Sequence, residues 1–176
     1  VVRGDALRLS VARDLGASDW AMQQTISVYL LGYGLMSFVH GPMSDAYGRR
    51  IVIVIGVISY ILASFLCTIS ANIETLLFAR FWQGCSTGAG VIVGRAIIRD
   101  RFHGGDAQRV MSWVAMLFGI APALAPLVGA AIHGVSNWRA IFFFMVVYGV
   151  AMLWACIKVL PETHPPSARV PMRPLS

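Results

Sequence analysis

The chain has 176 residues, of which 57% are hydrophobic and only 12% are charged. Soluble domains carry roughly a quarter charged residues, so this composition excludes an ordinary soluble globular protein. The net charge of +6 would suit nucleic acid in a soluble protein, but here the arginines flank apolar spans. The preference of basic residues for the cytoplasmic side of a membrane explains them better, and no nucleic-acid partner is predicted.

Five apolar spans follow a charged N-terminal segment and precede a proline-rich tail. A membrane helix needs about 20 mostly apolar residues, and residues 1–19 are too charged for one. We expect this segment to be extracytoplasmic, in water on the outer side of the membrane, with Ser18 or Asp19 as the N-cap of the first helix. The sequence therefore predicts an all-α fold, a polytopic membrane helix bundle over residues 20–160. The predicted transmembrane helices cover about 20–39, 51–71, 75–98, 110–133 and 139–160, and residues 161–176 form a linker.

A short polar turn, residues 41–50, separates the first two spans and carries one acid and two adjacent arginines. Pro42 cannot continue the helical hydrogen-bond ladder, so the first helix is expected to end near Gly41. A simple hairpin with solvated charges is the alternative interpretation. Further charges fall on the same side of the bundle by hairpin counting, at Arg95, Arg99, Asp100, Arg101, Asp106 and Arg109. Their excess of arginine predicts that this turn and the tail are cytoplasmic.

Arg80 lies inside the third span, where a charge costs roughly 2.5 to 3.5 kcal/mol on insertion scales. Gln83, Gly84 and Thr87 are three, four and seven positions further on, so they share its helix face. This face predicts a polar pathway through the bundle. Alternatively, Arg80 snorkels to the nearer interface, since it lies only about 9 Å from the start of the span.

Small residues and prolines mark the predicted packing faces of the third and fourth spans. In the fourth span, Pro122 and Pro126 are one helical turn apart and are expected to open the helix locally. Such a site indicates a pliable face that packs against a partner, although mere irregularity is the alternative. Two GxxxG pairs in the third span are predicted to allow close helix approach, at Gly84, Gly88, Gly90 and Gly94.

The sequence gives no support to catalysis or metal binding. Neither HExxH nor GxSxG occurs, and no pair of histidines has metal-ligand spacing. The three cysteines lie inside apolar runs and form no CxxC, so no disulfide framework is predicted. We expect no enzyme, no metal site and no cofactor.

Three motifs together resemble the major facilitator superfamily of membrane transporters. The turn Gly41-x-x-x-Asp45-x-x-Gly48-Arg49-Arg50 is similar to the family's loop between helices 2 and 3, with Ala46 where a basic residue is usual. The stretch Arg80-Phe-Trp-Gln83-Gly84 looks like the family's helix 4 motif. A relaxed form of the helix 5 pattern of proton-coupled antiporters consists of Ala121, Ala125, Pro126, Gly129 and Ala130.

Three further phrases are similar to the Bcr/CflA branch of drug:proton antiporters: Ala96-Ile-Ile-Arg99-Asp100, Asn137-Trp138-Arg139-Ala140-Ile141-Phe142 and Leu160-Pro161-Glu162-Thr163. The resemblance implies that the five spans are helices 2 to 6 of twelve. Helix 1 and the C-terminal half are then expected to be missing. It also implies a fragment of a multi-pass transporter in the cell membrane, the inner membrane in a Gram-negative bacterium. Such a transporter exports small amphipathic, drug-like molecules in exchange for protons, with the lipid bilayer as its surroundings.

The resemblance also implies roles for individual residues. The acid Asp45 and its partner Arg49 would form a conformational latch that stabilises one access state. The other latch residues would be Gly41, Gly48, Arg50 and Asp100. Proton coupling or a pathway would fall to Arg80, Gln83 and Gly84, and the helix 5 face would comprise Ala121, Ala125, Pro126 and Gly129.

Two other functions remain open. The first is a non-transporting truncated membrane protein that merely packs or dimerises through its GxxxG faces. The second is an importer of sugars or metabolites on the same fold, which the helix 5 pattern disfavours. The identity of the substrate does not follow from this sequence.

Overall fold

The structure, a computed structural model, describes residues 10–165, 167 and 169, apart from the side chains of residues 133 and 135. The described part contains helices and connecting turns, with no strand, which confirms the all-α prediction. Five long helices follow one another with short connections: α1 (Asp19–Tyr47), α2 (Arg49–Ile69), α3 (Ile73–Arg101), α4 (Gly104–Val135) and α5 (Trp138–Val159).

Three of the five helices are long and apolar enough to cross a membrane. They are α2, α5 and the stretch Gly104–Ile132 of α4. Helices α1 and α3 are each 29 residues long, so at 1.5 Å per residue they exceed the roughly 30 Å hydrocarbon core. They carry more polar residues, and they make the most extensive helix contact of the bundle with each other. Helix α3 also packs on α2, and α5 packs mainly on α2, so α3 and α2 lie between α1 on one side and α5 on the other.

Glycines allow α1 and α3 to cross closely. A Cβ at Gly84 would collide with the Tyr29 carbonyl, and one at Gly32 would collide with the Phe81 carbonyl. Helix packing at membrane depth depends on such small residues because they let the backbones approach. Within the described part, Gly90 and Gly94 meet nothing within 4 Å, so only the first half of the predicted glycine pattern lies in a tight contact.

The prediction that the first helix ends near Gly41 is wrong. Helix α1 continues through Pro42 to Tyr47, and the connection to α2 is the single residue Gly48. A proline removes only its own backbone donor, and a membrane helix tolerates this loss when neighbouring groups satisfy the freed carbonyl. The chain reverses at Gly48 because its φ of 104° and ψ of 148° lie in a region that glycine alone adopts readily.

The segment before α1 is not simply in water. Residues 10–15 are helical, and Val11 is buried in a cluster with Cys67, Leu76 and Ala79. Burial of the Val11 side chain removes apolar surface from water and so stabilises the packing of this segment against the bundle, a contact that was not predicted. The N-cap prediction is confirmed, since the Ser18 hydroxyl accepts a hydrogen bond from the Ala21 backbone N–H at 3.2 Å. Residues 1–9 lie outside the described part.

Asp14 ties this segment to the start of α5. Its Oδ2 accepts a hydrogen bond from the buried Trp138 Nε1 at 2.8 Å and lies 3.4 Å from Arg139 Nη1. Arg139 in turn donates to the carbonyl of Ser70 at 3.1 Å, which caps the end of α2. One carboxylate thus links three parts of the chain at the end of the bundle opposite Gly48.

We expect Asp14→Ala to lower the thermal unfolding midpoint in detergent by several degrees, because it leaves the Trp138 indole N–H without its acceptor at a cost of about 1–3 kcal/mol. Asp14→Asn keeps an oxygen acceptor and removes only a half-exposed ion pair, which contributes less than about 1 kcal/mol. The alanine variant should therefore melt well below the asparagine variant. Equal midpoints for the two would show that the indole bond contributes nothing.

Candidate functional site

Arg49 stands at the meeting point of three helix ends. Its Nη1 lies 2.5 Å from Asp45 Oδ1 at the end of α1. Its Nε lies 3.1 Å from Asp100 Oδ2 near the end of α3. Nη1 also donates to the buried Ser44 hydroxyl at 2.5 Å. We call these four residues the Arg49 cluster.

The burial of the Arg49 cluster is unequal. Arg49 is only 8% exposed, whereas the side chains of Asp45 and Asp100 are 47% and 26% exposed. The two carboxylates compensate the charge of the nearly buried guanidinium, and each of them binds a different N–H group of its planar head. The outward-facing acids retain the capacity to bind further donors. The structure thus brings together three predicted latch residues, and their ion pairs supply a geometry for that role.

Arg50 takes a different position from its neighbour. Its Nη2 donates to the Ile157 carbonyl near the end of α5 at 2.7 Å, so it caps α5 instead of pairing with an acid. Gly41 touches the cluster only through its carbonyl, which accepts a hydrogen bond from the Ser44 hydroxyl at 2.8 Å, and a Cβ built there would meet nothing within 4 Å in the described part of the chain. Within the described residues, therefore, neither residue contributes to the ion pairs of the Arg49 cluster.

Glu162 is the residue at this end that the sequence analysis quoted but gave no role. Its carboxylate accepts hydrogen bonds from the backbone N–H groups of Arg49 at 3.0 Å and Arg50 at 3.3 Å. The next residue, Thr163, donates its hydroxyl to Asp100 Oδ2 at 3.4 Å. The sequence does show an acid directly after the proline that follows α5. Sequence spacing cannot predict its contact with Arg49 and Arg50, however, because more than 110 residues separate them.

Arg80 points towards the middle of the bundle. It donates to the Oε1 of Gln83, which is one turn further from the start of α3. Its guanidinium carbon lies 4.6 Å from the ring centroid of Tyr29 and 5.9 Å from that of Phe142. A cation over aromatic faces is partly compensated by the ring quadrupoles. These contacts hold the guanidinium inside the bundle, between Gln83 and Tyr29 on one side and Phe142, one turn from the start of α5, on the other.

Gln83 continues the polar contacts inward from Arg80. It is 1% exposed, and its Nε2 donates to the Ser64 hydroxyl of α2 at 2.7 Å. Thr87, one turn further on, accepts a hydrogen bond from the Tyr29 hydroxyl at 3.2 Å. We call Tyr29, Ser64, Arg80, Gln83 and Thr87 the Arg80 cluster. The predicted polar face of the third span is thus a hydrogen-bonded layer that joins α1, α2 and α3.

The Arg80 cluster separates two cavities. One, of about 240 Å³, is lined by Arg80 and otherwise mainly by apolar side chains such as Met22, Ile26 and Phe142. The other, of about 490 Å³, is lined by Tyr29 and Thr87 together with residues of α2, α3, α4 and α5. Because Tyr29 stacks on Arg80 and also lines the larger cavity, the cluster forms the wall between them.

Helix α4 does not join either cluster. It is continuous across Pro122 and Pro126, so the prolines do not interrupt it as the sequence analysis expected. None of its described side chains is buried, and its contacts with α3 and α5 are slight. The predicted helix 5 face lies on this helix, with small residues that meet nothing else in the described chain or stand largely exposed: Ala121, Ala125, Pro126 and Gly129.

A bundle of long helices, three of them apolar enough to span a membrane, with a charge cluster where helix ends meet and a polar layer inside it, has the architecture of a polytopic membrane protein. The chain belongs to the Major Facilitator Superfamily, since the sequence profile of that family matches residues 6–175. This membership points to a transporter rather than an enzyme.

Relatives support the same assignment. The chain is 35% identical over 163 residues to a Bacillus subtilis protein named uncharacterized MFS-type transporter YdgK. It is 33% identical over 158 residues to multidrug resistance protein D of Escherichia coli. It is 31% identical over 165 residues to the bicyclomycin resistance protein homolog of Haemophilus influenzae. The last two names confirm the resemblance to the drug-efflux branch of the family.

The alignments cover nearly all of this chain but less than half of each relative. The three alignments cover 92%, 90% and 94% of this chain but only 40%, 40% and 42% of the relatives, so the chain spans about two fifths of their length. Among solved structures, the human organic anion transporter MFSD10 (TETRAN) matches with a TM-score of 0.74 at 22% identity. That match covers 86% of this chain and 34% of the human protein, and it shows that the fold is shared.

Proposed function

We propose that the chain is part of a secondary transporter that exports small amphipathic, drug-like molecules in exchange for protons. The observation that carries this proposal is the Arg49 cluster, in which one guanidinium bridges acids from two other helices. The names of the multidrug and bicyclomycin resistance relatives support drug efflux. We place the Gly48 end and residues 161–176 in the cytoplasm, because the exposed arginines collect there.

The Arg49 cluster would act as a latch in alternating access. Transporters of this architecture work by rocking one half against the other around a central site. Asp45 and Asp100 are partly exposed at the end of the bundle, where donors from a second half could bind them. Their bond to the nearly buried Arg49 holds both acids in place for that contact. The latch would then stabilise the state in which the two halves meet at this end.

Asp45→Asn is expected to reduce efflux about fivefold or more when placed at the matching position of a full-length relative. It removes one carboxylate of the bridge and leaves the shape of the side chain, and a charge-assisted contact contributes on the order of 1–2 kcal/mol. The measurement is export of a fluorescent drug at equal protein abundance. Asp106→Asn is the matched control, since Asp106 is an exposed acid without a described ion pair. Efflux equal to that of the unsubstituted transporter would remove the latch from the proposal.

The Arg80 cluster supplies the proposed link to protons. A cation held inside the bundle by an amide and two aromatic rings responds to any nearby change in charge, because the surrounding dielectric is low. Hydroxyl and amide groups continue from it to Ser64 and Thr87. We assign this layer to the coupling of proton movement to the exchange of access states.

The exposed face of α4 supports the proposal that a second half of the transporter packs there. A run of small residues beside prolines, with no described neighbour, suits a partner helix that approaches closely and shifts during transport. The second candidate function is a non-transporting membrane protein that dimerises through the GxxxG faces of α3, where a Cβ at Gly90 or Gly94 would meet nothing within 4 Å in the described chain. Efflux by a full-length transporter that contains this segment favours the first. A stable dimer of the chain with no efflux favours the second.

A further inference from the structure

The N-terminus of α2 is not capped by the side chain of its own N-cap residue. The N-cap residue is Gly48, which has no side chain to accept a hydrogen bond from the first turn. A helix start leaves four backbone N–H groups without partners inside the helix, and it is the positive end of the helix dipole. Since Gly48 is needed for its positive φ, the acceptor has to come from elsewhere in the chain.

Glu162 supplies that acceptor from beyond the end of α5. Its Oε1 and Oε2 accept from the N–H groups of Arg49 and Arg50, at 3.0 and 3.3 Å. The His164 N–H donates to Oε1 at 2.9 Å, which holds the carboxylate in place. A Cβ built on Gly48 would lie 2.7 Å from Oε2. Because Gly48 has no side chain, it cannot cap the N–H groups of α2 itself, and it leaves room for the Glu162 carboxylate to do so.

The cap is one half of a reciprocal arrangement. While Glu162 caps the start of α2, Arg50 in the first turn of α2 caps the end of α5 through the Ile157 carbonyl at 2.7 Å. Both contacts place opposite charges at the helix ends that favour them, an anion at the N-terminus and a cation at the C-terminus. The beginning of the linker is thus bound to α2 by groups from both sides.

We propose that Glu162 is a positioning residue for Arg49, and that it couples the start of the linker to the latch. The backbone of Arg49 is held by Glu162, and its side chain bridges Asp45 and Asp100. Thr163 adds a second link from the linker to Asp100. Displacing the linker therefore releases the first turn of α2 and shifts the bridging guanidinium. The coupling to transport rests on the proposed function, whereas the cap itself does not.

Hydrogen exchange of the purified chain in detergent micelles tests the cap directly. Glu162→Gln preserves size but loses the charge and one of the two accepting oxygens, whereas Glu162→Asp keeps a charged acceptor on a shorter side chain. We expect the amides of Arg49 and Arg50 to exchange about fivefold faster in the Gln variant, the usual effect of losing a cap. The Asp variant should lie between Gln and the unsubstituted chain. If the role were packing alone, Gln would be the milder change.

Glu74→Gln is the matched control, because Glu74 is an exposed acid in the first turn of α3. It should leave exchange at residues 49–50 unchanged. Exchange in Glu162→Gln that equals the unsubstituted chain overturns the cap, and so does a Gln variant that is better protected than Asp.

A second arm measures the coupling in a full-length relative, with Glu162→Gln and Asp45→Asn made singly and together. If Glu162 acts through Arg49, the two efflux losses are not additive, because both variants disable the same bridge. Additive losses overturn the positioning role. No effect of Asp45→Asn alone removes the latch and with it the coupling, while the exchange measurement still decides the cap.

Discussion

Arg80→Ala is expected to reduce proton-driven efflux about 100-fold while the helices remain folded. The substitution removes the donor to Gln83 Oε1 and the cation over the Tyr29 ring. Hydrogen bonds to charged groups contribute about 1.5–3 kcal/mol, which corresponds to a factor of about 10 to 100 in rate. Because the proposed coupling passes through this one guanidinium, we expect the loss at the upper end of that range.

The assay is efflux of a fluorescent drug from cells, with and without a proton gradient, using the matching position of a full-length relative. Arg80→Lys separates charge from shape, since an ammonium keeps the charge but not the planar fork. Arg101→Ala at the exposed end of α3 is the control for simple loss of an arginine. Full gradient-dependent efflux in Arg80→Ala would return Arg80 to a packing or snorkelling role.

Gly48→Ala is expected to lower the stability of the α1–α2 connection strongly. An alanine at φ 104° and ψ 148° is strained by about 1–3 kcal/mol. Its Cβ would also lie 2.7 Å from the Glu162 carboxylate and 2.8 Å from the Arg169 guanidinium. The strain and the displaced cap act on the same turn, so both the thermal midpoint in detergent and efflux should fall.

Gly16→Ala is a matched control for this substitution. Gly16 also has a positive φ, 59°, but a Cβ there meets nothing within 4 Å. It therefore measures a left-handed strain without the collision, and Gly48→Ala, in a region that is less accessible still to a side chain, should lower the midpoint several degrees further. Combining Gly48→Ala with Glu162→Ala removes the colliding carboxylate. If Glu162→Ala lowers the midpoint as much in the Gly48→Ala chain as in the unsubstituted chain, the collision with Glu162 has no energetic weight.

Much of the fold follows from the sequence, because long apolar runs have few solutions in a membrane. The five helices were predicted within a few residues at most of their ends, since backbone groups in hydrocarbon must be satisfied inside a helix. The main error was the end of α1, where the proline rule was applied too strictly and Pro42 was taken as a stop. The positive φ of Gly48, a local property of one residue, sets the true end.

The candidate site was predicted in part: contacts between residues close in the sequence were predicted, and most contacts between distant residues were not. Asp45 and Arg49 are four positions apart across a turn, so their ion pair can be predicted from the local sequence. The bridge to Asp100 came from a family resemblance, not from spacing. Glu162 and the burial of Val11 depend on which helix ends meet in space, and no periodicity in the sequence encodes that.

Helices α1 and α3 make the closest contact in the bundle but lack the apolar stretch found in α2, α4 and α5. During synthesis, the translocon releases segments into lipid according to their apolarity, so the three apolar helices can partition one at a time. The two less apolar helices gain stability in the bilayer from each other, through glycine contacts and the hydrogen bond between the Tyr29 and Thr87 hydroxyls. We therefore expect α1 to complete its insertion only after α3 has been made.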